Sequence, residues 1–514
     1  MSNTTPLPNL PRSGPERELL REKGQFWTPD WVADVMAAYV LQEKSDCVLD
    51  PALGGGAFFR AAKRLAKSQG FDLALFGRDI DPNALALSRQ AGLDAVDLAN
   101  VEIRDFVLDP PKRSFPAIIA NPPYIRHHRI DPVQKERLRE YARTATNRKI
   151  DGRAGLHVYF LIRALQTLSP GGRLAYIVSA DICEGVFAGA LWQWVCNHYR
   201  LDAVVTFTRE TAPFPDVDTN ALIFFIQKAP PRKSFHWISC RDRDPASLMD
   251  DLLGASRRAT TNVVHNRLLS EALATGLSRP PSEEQASRYA LGDFASVMRG
   301  VVTGDNEFFF MTLDRAKRLG IPESFLIKAI GRTRDVRDDC VDDADLERLE
   351  AAGRPTRLLY VNGTAFDLLP FPIQEYLNVG EQYGLPEKTL IKTRRPWYRM
   401  ETREVPPILF AYLGRRNTRF IRNRANVVPL TSLLCVYPKL PGLDFEDKLW
   451  SVLTHPDTIA NLKKVGKSYG GDSIKVEPRA LERLPLPDCL VHKTGLGQFV
   501  ASRQGMFDLS SEFR

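Results

Sequence analysis

The chain has 514 residues, which is long enough for two or more domains that each bury their own core. The 70 Lys and Arg residues outnumber the 62 Asp and Glu residues, and the formal charge of +8 allows a polyanionic partner without establishing one. The seven cysteines form no C-x-x-C pair, which argues against a zinc cluster or a disulfide framework, so we expect no metal and a reducing compartment. Neither a signal peptide nor a membrane span is evident, and the protein is predicted to be cytoplasmic.

The first part of the chain alternates short apolar runs with helical patterns. The predicted strands are 47–50, 73–77, 101–103, 115–120, 174–178, 203–207 and 221–226. The predicted helices are 31–40, 57–68, 83–90 and 156–168, the last of them stopped by Ser169-Pro170-Gly171-Gly172. This alternation predicts an α/β fold with a doubly wound, mostly parallel sheet that binds its ligand at the carboxyl ends of the strands. We expect a flexible N-terminus over 1–19 and a first domain over 20–230.

Polar residues and glycines close the first three predicted strands. Asp50 and a turn containing Gly54 and Gly56 follow the first strand, Asp79 the second and Asp105 the third. Glycines let the backbone approach a ligand closely, and an acidic residue after the second strand can accept both hydroxyls of a ribose. Each feature alone fits a tight turn, a helix start or a solvated carboxylate equally well. Their common position at one edge of one sheet favours a nucleotide site.

The fourth predicted strand ends in Asn121-Pro122-Pro123-Tyr124. The exocyclic amino group of adenine is planar because its lone pair is delocalised into the ring. A site that accepts both amino hydrogens can turn that lone pair toward an electrophile. The side-chain oxygen of Asn121 and the carbonyl of Pro122, held by two successive prolines, are the predicted acceptors. Tyr124 offers a flat face for stacking the base. Alone, the four residues also fit a proline-rich turn that closes a core strand.

In this order the motifs resemble those of the S-adenosylmethionine-dependent adenine-N6 DNA methyltransferases of restriction–modification systems. The likeness is to the group with cofactor motifs first and a target-recognition domain last, and residues 24–29 resemble its opening motif. The resemblance implies a Rossmann-like catalytic domain, S-adenosylmethionine as cofactor and double-stranded DNA as substrate. The cofactor-binding residues that it implies are Thr28, Asp50, Pro51, Gly54, Gly56, Asp79, Ile80, Asp105, Phe106 and Asn121. The glycine turn departs from the family pattern because it has no second acidic residue, which leaves the contacts to the methionine end open.

The same resemblance implies that Asn121, Pro122 and Tyr124 are catalytic and that Phe214 joins them. Phe214 lies in Ala212-Pro213-Phe214-Pro215, where this group places a second aromatic residue that faces the flipped base. We therefore expect Tyr124 and Phe214 to sandwich the adenine. Ordinary packing of Phe214 under a loop is the alternative.

The second half of the chain is predicted to hold a connector over 231–290 and an α+β target-recognition domain over 291–514. Residues 299–306 and 466–471 resemble the opening and closing segments of that domain. Basic and aromatic runs suit phosphates, guanine edges and packing against DNA, although any single run also fits a solvated face. The predicted DNA contacts are Arg126, Arg129, Arg394, Arg395, Trp397, Tyr398, Arg415, Arg416 and Lys467.

Three other functions share parts of this pattern. The motif of Asn121 also occurs in methyltransferases of ribosomal RNA adenines and of a glutamine amide in a release factor. The glutamine enzymes lack a large basic C-terminal half, and no familiar RNA-binding module is visible. A non-catalytic DNA-binding scaffold is the third alternative. We expect a monomer in catalysis and a separate restriction endonuclease, or none, because no nuclease signature is evident.

Overall fold

The computed structural model describes residues 27–214, 220–254, 260–281, 287–401, 403–412, 418–469 and 473–499. The chain divides into two compact units, Met1–Pro281 and Ser282–Arg514. The predicted flexible N-terminus and residues 24–26 of the opening motif lie outside the described residues.

The first unit is built on a sheet with nine strands among the residues described. The strands are β1 (Cys47–Asp50), β2 (Ala74–Asp79), β3 (Asn100–Ile103), β4 (Phe115–Ala120), β5 (Leu168–Ser179), β6 (Arg200–Phe207), β7 (Ala221–Gln227), β8 (Ser234–Cys240) and β9 (Val263–Leu268). Their order in the sheet is β3-β2-β1-β4-β5-β7-β6-β8-β9. The first five strands pair in parallel, whereas β7 is antiparallel to both β5 and β6. The predicted α/β sheet is confirmed, and its parallel half carries the predicted site.

Helices cover both faces of this sheet. They are α1 (Asp30–Val40), α2 (Ala57–Gln69), α3 (Asn83–Gln90), α4 (Pro132–Thr146), α5 (Leu156–Thr167), α6 (Ala188–His198), α7 (Pro245–Leu253) and α8 (Leu269–Thr275). Val48 and Ala117 belong to an apolar cluster with α1, α2 and α7, whereas Leu49 and Ile118 belong to a cluster on the other face with α5 and α6. Successive strand residues point to opposite faces, so a strand covered on both sides is apolar at nearly every position. This burial produces the continuous apolar runs of the sequence.

Two details of the first unit differ from the sequence-based prediction. The segment 231–290 is not only a connector, because β8 pairs with β6 and β9 pairs with β8 to extend the sheet. Edge strand β9 alternates half-buried with exposed positions, so its apolar signal is weak. The strand β5 also begins earlier than predicted, at Leu168, because Gly171 and Gly172 exchange backbone hydrogen bonds with Lys228. The first unit therefore reaches Pro281 rather than residue 230.

The second unit has an α+β fold, as predicted. Its strands are β10 (Tyr289–Ala290), β11 (Ala295–Arg299), β12 (Phe310–Met311), β13 (Leu326–Ile330), β14 (Cys340–Val341), β15 (Arg357–Leu359), β16 (Ile408–Ala411), β17 (Arg419–Asn423), β18 (Val428–Pro429), β19 (Leu433–Pro438), β20 (Lys467–Tyr469), β21 (Ser473–Lys475) and β22 (Pro485–Leu486). A five-stranded sheet has the order β11-β19-β16-β17-β14, and a four-stranded sheet has the order β12-β15-β13-β18. The remaining strands pair as β10-β22 and β20-β21.

Short helices fill the connections of the second unit. They are α9 (Leu291–Phe294), α10 (Asn306–Phe309), α11 (Leu313–Arg318), α12 (Asp343–Ala351), α13 (Phe371–Gln382), α14 (Leu443–Leu453), α15 (Pro456–Val465), α16 (Pro478–Glu482) and α17 (Asp488–Lys493). Across the described ranges of both units, no helix has the length and apolar character that crossing a bilayer requires.

Candidate cofactor and catalytic site

A cavity of about 550 Å³ lies at the carboxyl ends of the parallel strands in the first unit. Its lining includes Trp27, Thr28, Pro51, Gly54, Gly55, Asp79, Ile80, Asp105, Phe106, Asn121, Pro123, Leu156 and Phe160. Most of these residues lie at the ends of the four strands β1 to β4, and they meet because parallel neighbours end at the same edge of a sheet. The segment before α1 and the helix α5 supply the others. The volume is within the range of small-molecule and cofactor sites.

Two glycines in the turn after β1, Gly54 and Gly56, have different surroundings. Gly54 lines the cavity, has a positive φ of +49°, and donates its backbone N–H to Oδ2 of Asp79 at 2.9 Å. Gly56 is not among the residues that line the cavity, so its predicted contact to the cofactor stays a prediction. Its φ is +69°, and a Cβ atom there would lie 2.4 Å from Cδ1 of Leu93. Gly56 is therefore required for backbone conformation and close packing.

Asp79 is held by backbone donors at the edge of the cavity. Its Oδ2 accepts from Gly54, and its Oδ1 accepts from the N–H of Asp81 at 2.9 Å. Burial raises the pKa of this carboxyl above its ordinary value, and the backbone hydrogen bonds partly oppose the shift. Each carboxylate oxygen keeps a second lone pair, so Asp79 is able to accept hydrogen bonds from the hydroxyl groups of a ligand in the cavity.

Asp50 is buried directly behind the lining residue Pro51. Its Oδ1 accepts the N–H of Ala52 at 3.1 Å, while its buried Oδ2 has no hydrogen-bond partner within the described part of the chain. Burial raises the pKa of Asp50 to about 8, with the nearby Asp79 carboxylate adding to the shift. A buried acceptor without a partner beside a cavity fits a site that receives a polar ligand group.

The third strand supplies a polar residue and an aromatic residue to the site. Oδ1 of Asp105 accepts the backbone N–H groups of Val107 and Leu108, which fixes the turn. Phe106 is only 2% exposed, and its ring packs 5.5 Å from the ring of Phe160. Most of the Phe106 ring is therefore covered by the core.

Sequence reasoning missed the contribution of α5 to the cavity. Leu156 and Phe160 both line it. They are four residues apart, which places them on one face of the helix. An apolar pair at positions i and i+4 near the start of a helix is the sequence pattern that indicates such a contribution.

Asn121 and Thr28 meet at the cavity although they come from distant parts of the chain. Asn121 follows β4 and donates through Nδ2 to Oγ1 of Thr28 at 3.0 Å. Thr28 is 7% exposed and lines the cavity, and Pro122 is buried behind Asn121. The bond to Thr28 occupies the amide nitrogen and orients the amide group of Asn121.

The two predicted base-stacking rings have different surroundings. Tyr124 is half-buried, its hydroxyl donates to the carbonyl of Ile177 at 3.3 Å, and its ring centroid lies 6.4 Å from that of His157. Phe214 is 8% exposed and belongs to the apolar cluster on the α1 side of the sheet. Tyr124 packs against the cluster on the opposite side. The sandwich of a base between these rings stays a prediction.

The predicted DNA contacts of the first unit are exposed. Arg126 and Arg129 lie in the loop between β4 and α4, directly after the Asn121 motif. Their position beside the cavity is consistent with a contact to a bound polymer, which stays a prediction.

The basic-aromatic run of the second unit is mostly structural, which corrects the prediction for two of its residues. Arg394 donates to the carbonyls of Thr303 and Val302 at 2.9 and 2.8 Å, and burial lowers its pKa. Tyr398 is 3% exposed, and its hydroxyl donates to a backbone carbonyl of the same unit. Both side chains satisfy backbone acceptors inside the unit, which favours a structural role for them over a contact to DNA.

The other predicted contacts of the second unit fall into three groups. Trp397 is half-buried and donates through Nε1 to Glu381 at 3.0 Å, whereas Arg395 is exposed. Arg415 and Arg416 lie outside the described residues. Lys467 begins β20, and the structure describes its backbone alone.

No group of three or more His, Cys, Asp or Glu side chains within the described ranges has an arrangement that would hold a metal ion.

Comparison with known proteins assigns a family to each half of the chain. Residues 17–245 match the family model N-6 DNA Methylase, and residues 279–504 match the model Type II methyltransferase M.Eco57I, C-terminal domain. The Type II methyltransferase M.AccI of Acinetobacter calcoaceticus is 25% identical over 475 residues, covering 89% of this chain and 84% of the relative. The Type II methyltransferase M.XamI of Xanthomonas campestris pv. amaranthicola is 26% identical over 482 residues, covering 90% and 85%.

A solved structure of similar fold is that of the Type IIL restriction-modification enzyme MmeI in complex with DNA. The two align with a TM-score of 0.56 at 12% identity, over 91% of this chain and 64% of the MmeI chain. At this identity the likeness shows the fold alone. The two family matches, the relatives that span both units and the strand-end cavity agree. This chain belongs to the S-adenosylmethionine-dependent DNA methyltransferases of restriction–modification systems.

Proposed function

We propose that this protein transfers a methyl group from S-adenosylmethionine to the N6 amino group of a flipped adenine within a short, specific sequence of double-stranded DNA. The observation that carries the proposal is the position of Asn121 on the wall of the cavity, with its amide nitrogen held by Thr28. We further propose that the chain acts as a monomer in the cytoplasm, as the modification enzyme beside a separate restriction endonuclease.

The cavity residues fit the cofactor. Asp79 would accept the ribose hydroxyls, and Ile80, which lines the cavity and is 71% exposed, would cover one face of the adenine ring. Asp50 offers a buried carboxylate oxygen behind Pro51. When bound, S-adenosylmethionine supplies an electrophilic methyl group on a sulfonium, so the protein has mainly to orient the acceptor and exclude water.

Asn121 and Pro122 would orient the acceptor nitrogen. Because Nδ2 of Asn121 donates to Thr28, the amide is turned so that Oδ1 faces away from Thr28. That oxygen and the carbonyl of Pro122 would accept the two hydrogens of the adenine amino group, which turns the nitrogen lone pair out of conjugation. Holding the reactants in line in this way supplies much of the rate enhancement of a bimolecular transfer.

Tyr124 and Phe214 would stabilise the flipped base. Flipping a base out of the duplex costs a few kcal/mol, and stacking on an aromatic ring returns about 1–3 kcal/mol per face. Tyr124 is anchored by its hydroxyl to Ile177, so its ring is pre-positioned for stacking. Phe214 is 8% exposed, so its participation requires its ring to become more accessible than it is in this structure.

The experiment that tests the proposal is expression of the full chain in a bacterial host that lacks DNA methylation, followed by single-molecule sequencing of the genome. We expect N6-methyladenine at one short motif. The variant Asn121→Ala is expected to leave the genome unmodified while it still binds S-adenosylmethionine in calorimetry. An unmodified genome beside folded, cofactor-binding wild-type protein contradicts the proposal and favours RNA methylation or a non-catalytic scaffold.

A further inference from the structure

The loop that joins β13 to β14 in the second unit, residues 331–339, carries exposed arginines; we name it the arginine loop. Arg332, Arg334 and Arg337 are all exposed, and none of their guanidinium groups has a hydrogen bond or ion pair with any described residue. None of the three belongs to the basic runs that the sequence brought forward. An arginine without an internal partner is available to an external anion.

Three other arginines donate hydrogen bonds that hold the arginine loop. Asp335 is buried, its Oδ1 accepts from Arg354 at 2.8 Å, and its carbonyl accepts from Arg348 at 3.0 Å. Arg419 donates to the carbonyl of Val336 at 2.8 Å. These bonds fix the loop while leaving its arginine side chains in solvent. A fixed backbone lowers the conformational entropy that is lost when the side chains bind.

Both ends of the arginine loop are anchored in sheets. The loop begins at Gly331, directly after β13 of the four-stranded sheet, and Oγ of Ser432 donates to the Gly331 carbonyl at 2.6 Å. It ends at β14 of the five-stranded sheet, where Cys340 pairs with Arg422. The loop is therefore a rigid bridge between the two sheets of the second unit.

The carboxylates near the loop are largely neutralised by partners of their own. Asp335 pairs with Arg354, Asp339 with Arg419 at 3.3 Å, Asp343 with Lys328 at 2.8 Å and Asp345 with Arg348 at 2.7 Å. Asp342 caps the N-terminus of α12, and the exposed Asp338 has no side-chain partner in the described residues. The three arginines without partners therefore outnumber the two carboxylates nearby that have no ion pair, Asp338 and the helix-capping Asp342.

We propose that Arg332, Arg334 and Arg337 bind backbone phosphates of the DNA substrate and set its affinity rather than its sequence choice. The proposal rests on the proposed function, because it takes double-stranded DNA as the ligand. Guanidinium groups match phosphate geometry in a bidentate manner. Base reading requires side chains held in place by neighbouring hydrogen bonds, and these three have none within the described structure.

The test measures binding of the full chain to duplex DNA over a series of salt concentrations. One duplex contains the short motif at which sequencing finds methylation, and a second duplex lacks it. The wild type is compared with the triple variant Arg332→Gln, Arg334→Gln, Arg337→Gln. Each lost phosphate contact lowers the slope of log affinity against log salt by about 0.9. If three contacts are lost, the ratio of wild-type affinity to variant affinity is expected to be roughly 40-fold smaller at 200 mM salt than at 50 mM salt. The ratio of affinities for duplexes with and without the motif is expected to stay unchanged.

A matched control separates contact from net charge. Arg288, Lys317 and Arg318 are exposed in the same unit, and their triple replacement by glutamine removes the same charge. We expect this control to keep the wild-type salt slope, and replacement of the three loop arginines by lysine to restore most of it. All the substituted positions are exposed, and the melting temperature of each variant shows whether it is folded.

Each outcome decides one question. If wild-type protein shows no salt-dependent affinity for DNA, the proposed function fails. If the wild type binds DNA and the loop variant keeps its slope, the arginine loop does not contact phosphates. An equal loss of slope in the control variant assigns the effect to net charge, and a collapsed affinity ratio assigns the arginines to base reading; both overturn the inference.

Discussion

Asn121 and Thr28, 93 positions apart in the chain, share a hydrogen bond of 3.0 Å at the wall of the cavity. The bond connects the segment before α1 to the end of β4. It also fixes which polar atom of the Asn121 amide points away from Thr28.

Removal of the Thr28 hydroxyl is predicted to slow methyl transfer more than it weakens cofactor binding. In Thr28→Val the shape is kept, but the hydrogen bond from Nδ2 of Asn121 to the Thr28 hydroxyl is lost. The net value of such a bond is about 0.5–1.5 kcal/mol, so the single-turnover rate is expected to fall roughly 2- to 12-fold. Thr28→Ser retains the hydroxyl and is the control. Equal rates in the two variants would contradict an orienting role.

Alanine at Gly56 is predicted to reduce mainly the stability of the fold, and alanine at Gly54 mainly the affinity for the cofactor. Gly56→Ala brings a Cβ atom 2.4 Å from Cδ1 of Leu93 and strains a φ of +69°. We expect about 1–3 kcal/mol of destabilisation, measured by denaturant unfolding. Gly54 also has a positive φ of +49°, so some strain is expected, but the nearest atom to its new Cβ is 3.9 Å away. The stability loss at Gly54 should therefore be the smaller of the two, and the loss of cofactor affinity the larger. Similar stability losses in both variants would contradict this division.

Replacement of Asp50 is predicted to stabilise the cofactor-free protein in a pH-dependent manner. Burial raises the pKa of Asp50 from 3.8 to about 8, so the folded state binds this proton more tightly than the unfolded state. The free energy of unfolding therefore falls as pH rises from 3.8 to about 8. Asp50→Asn removes this loss, and its melting temperature should exceed that of the wild type by more at pH 8 than at pH 5. The exposed Asp72→Asn is the control, and a pH-independent difference for Asp50→Asn would refute the argument.

His157 is predicted to weaken the fold in acid. Burial lowers its pKa from 6.5 to about 4, and neither ring nitrogen has a hydrogen-bond partner in the described part of the protein. The unfolded state binds the proton more tightly, so the free energy of unfolding falls as pH drops from 6.5 to about 4. His157→Phe should flatten this part of the pH–stability profile, whereas the exposed His128→Gln should not. An unchanged profile for His157→Phe would show that other groups control it.

Arg394 is predicted to stabilise the second unit without contacting DNA. Its guanidinium bonds to the carbonyls of Val302 and Thr303, and Arg394→Ala leaves those acceptors without their donor. We expect destabilisation of about 1–3 kcal/mol in denaturant unfolding, with an unchanged salt slope of DNA binding for the folded fraction. Arg395→Ala is the comparison, since Arg395 is exposed and donates only to the carbonyls of Lys392 and Arg394 close by in the chain, so its loss of stability should be smaller. A reduced salt slope for Arg394→Ala would restore the original prediction of a DNA contact.

The amino-acid sequence by itself determined the parallel half of the sheet and the edge at which the cavity lies. The strands Cys47–Asp50 and Phe115–Ala120 have the predicted bounds, because a strand buried on both faces is a continuous apolar run with a polar residue at its end. Since parallel strands end at one edge, the order Asp50, Asp79, Asn121 was enough to place these residues around one cavity or directly behind its wall.

Only the tertiary structure decided which members of each motif face the cavity and which are packed. Gly56 packs against Leu93 and does not line the cavity. Arg394 donates to carbonyls 91 and 92 residues away in the chain, and the edge strand β9 joins the sheet by pairing with β8. The sequence likewise did not distinguish the exposed arginines of the arginine loop from the many other basic residues of the chain. Composition and periodicity record local burial, whereas the partner of a guanidinium or a glycine Cα is set by distant segments that meet only on folding.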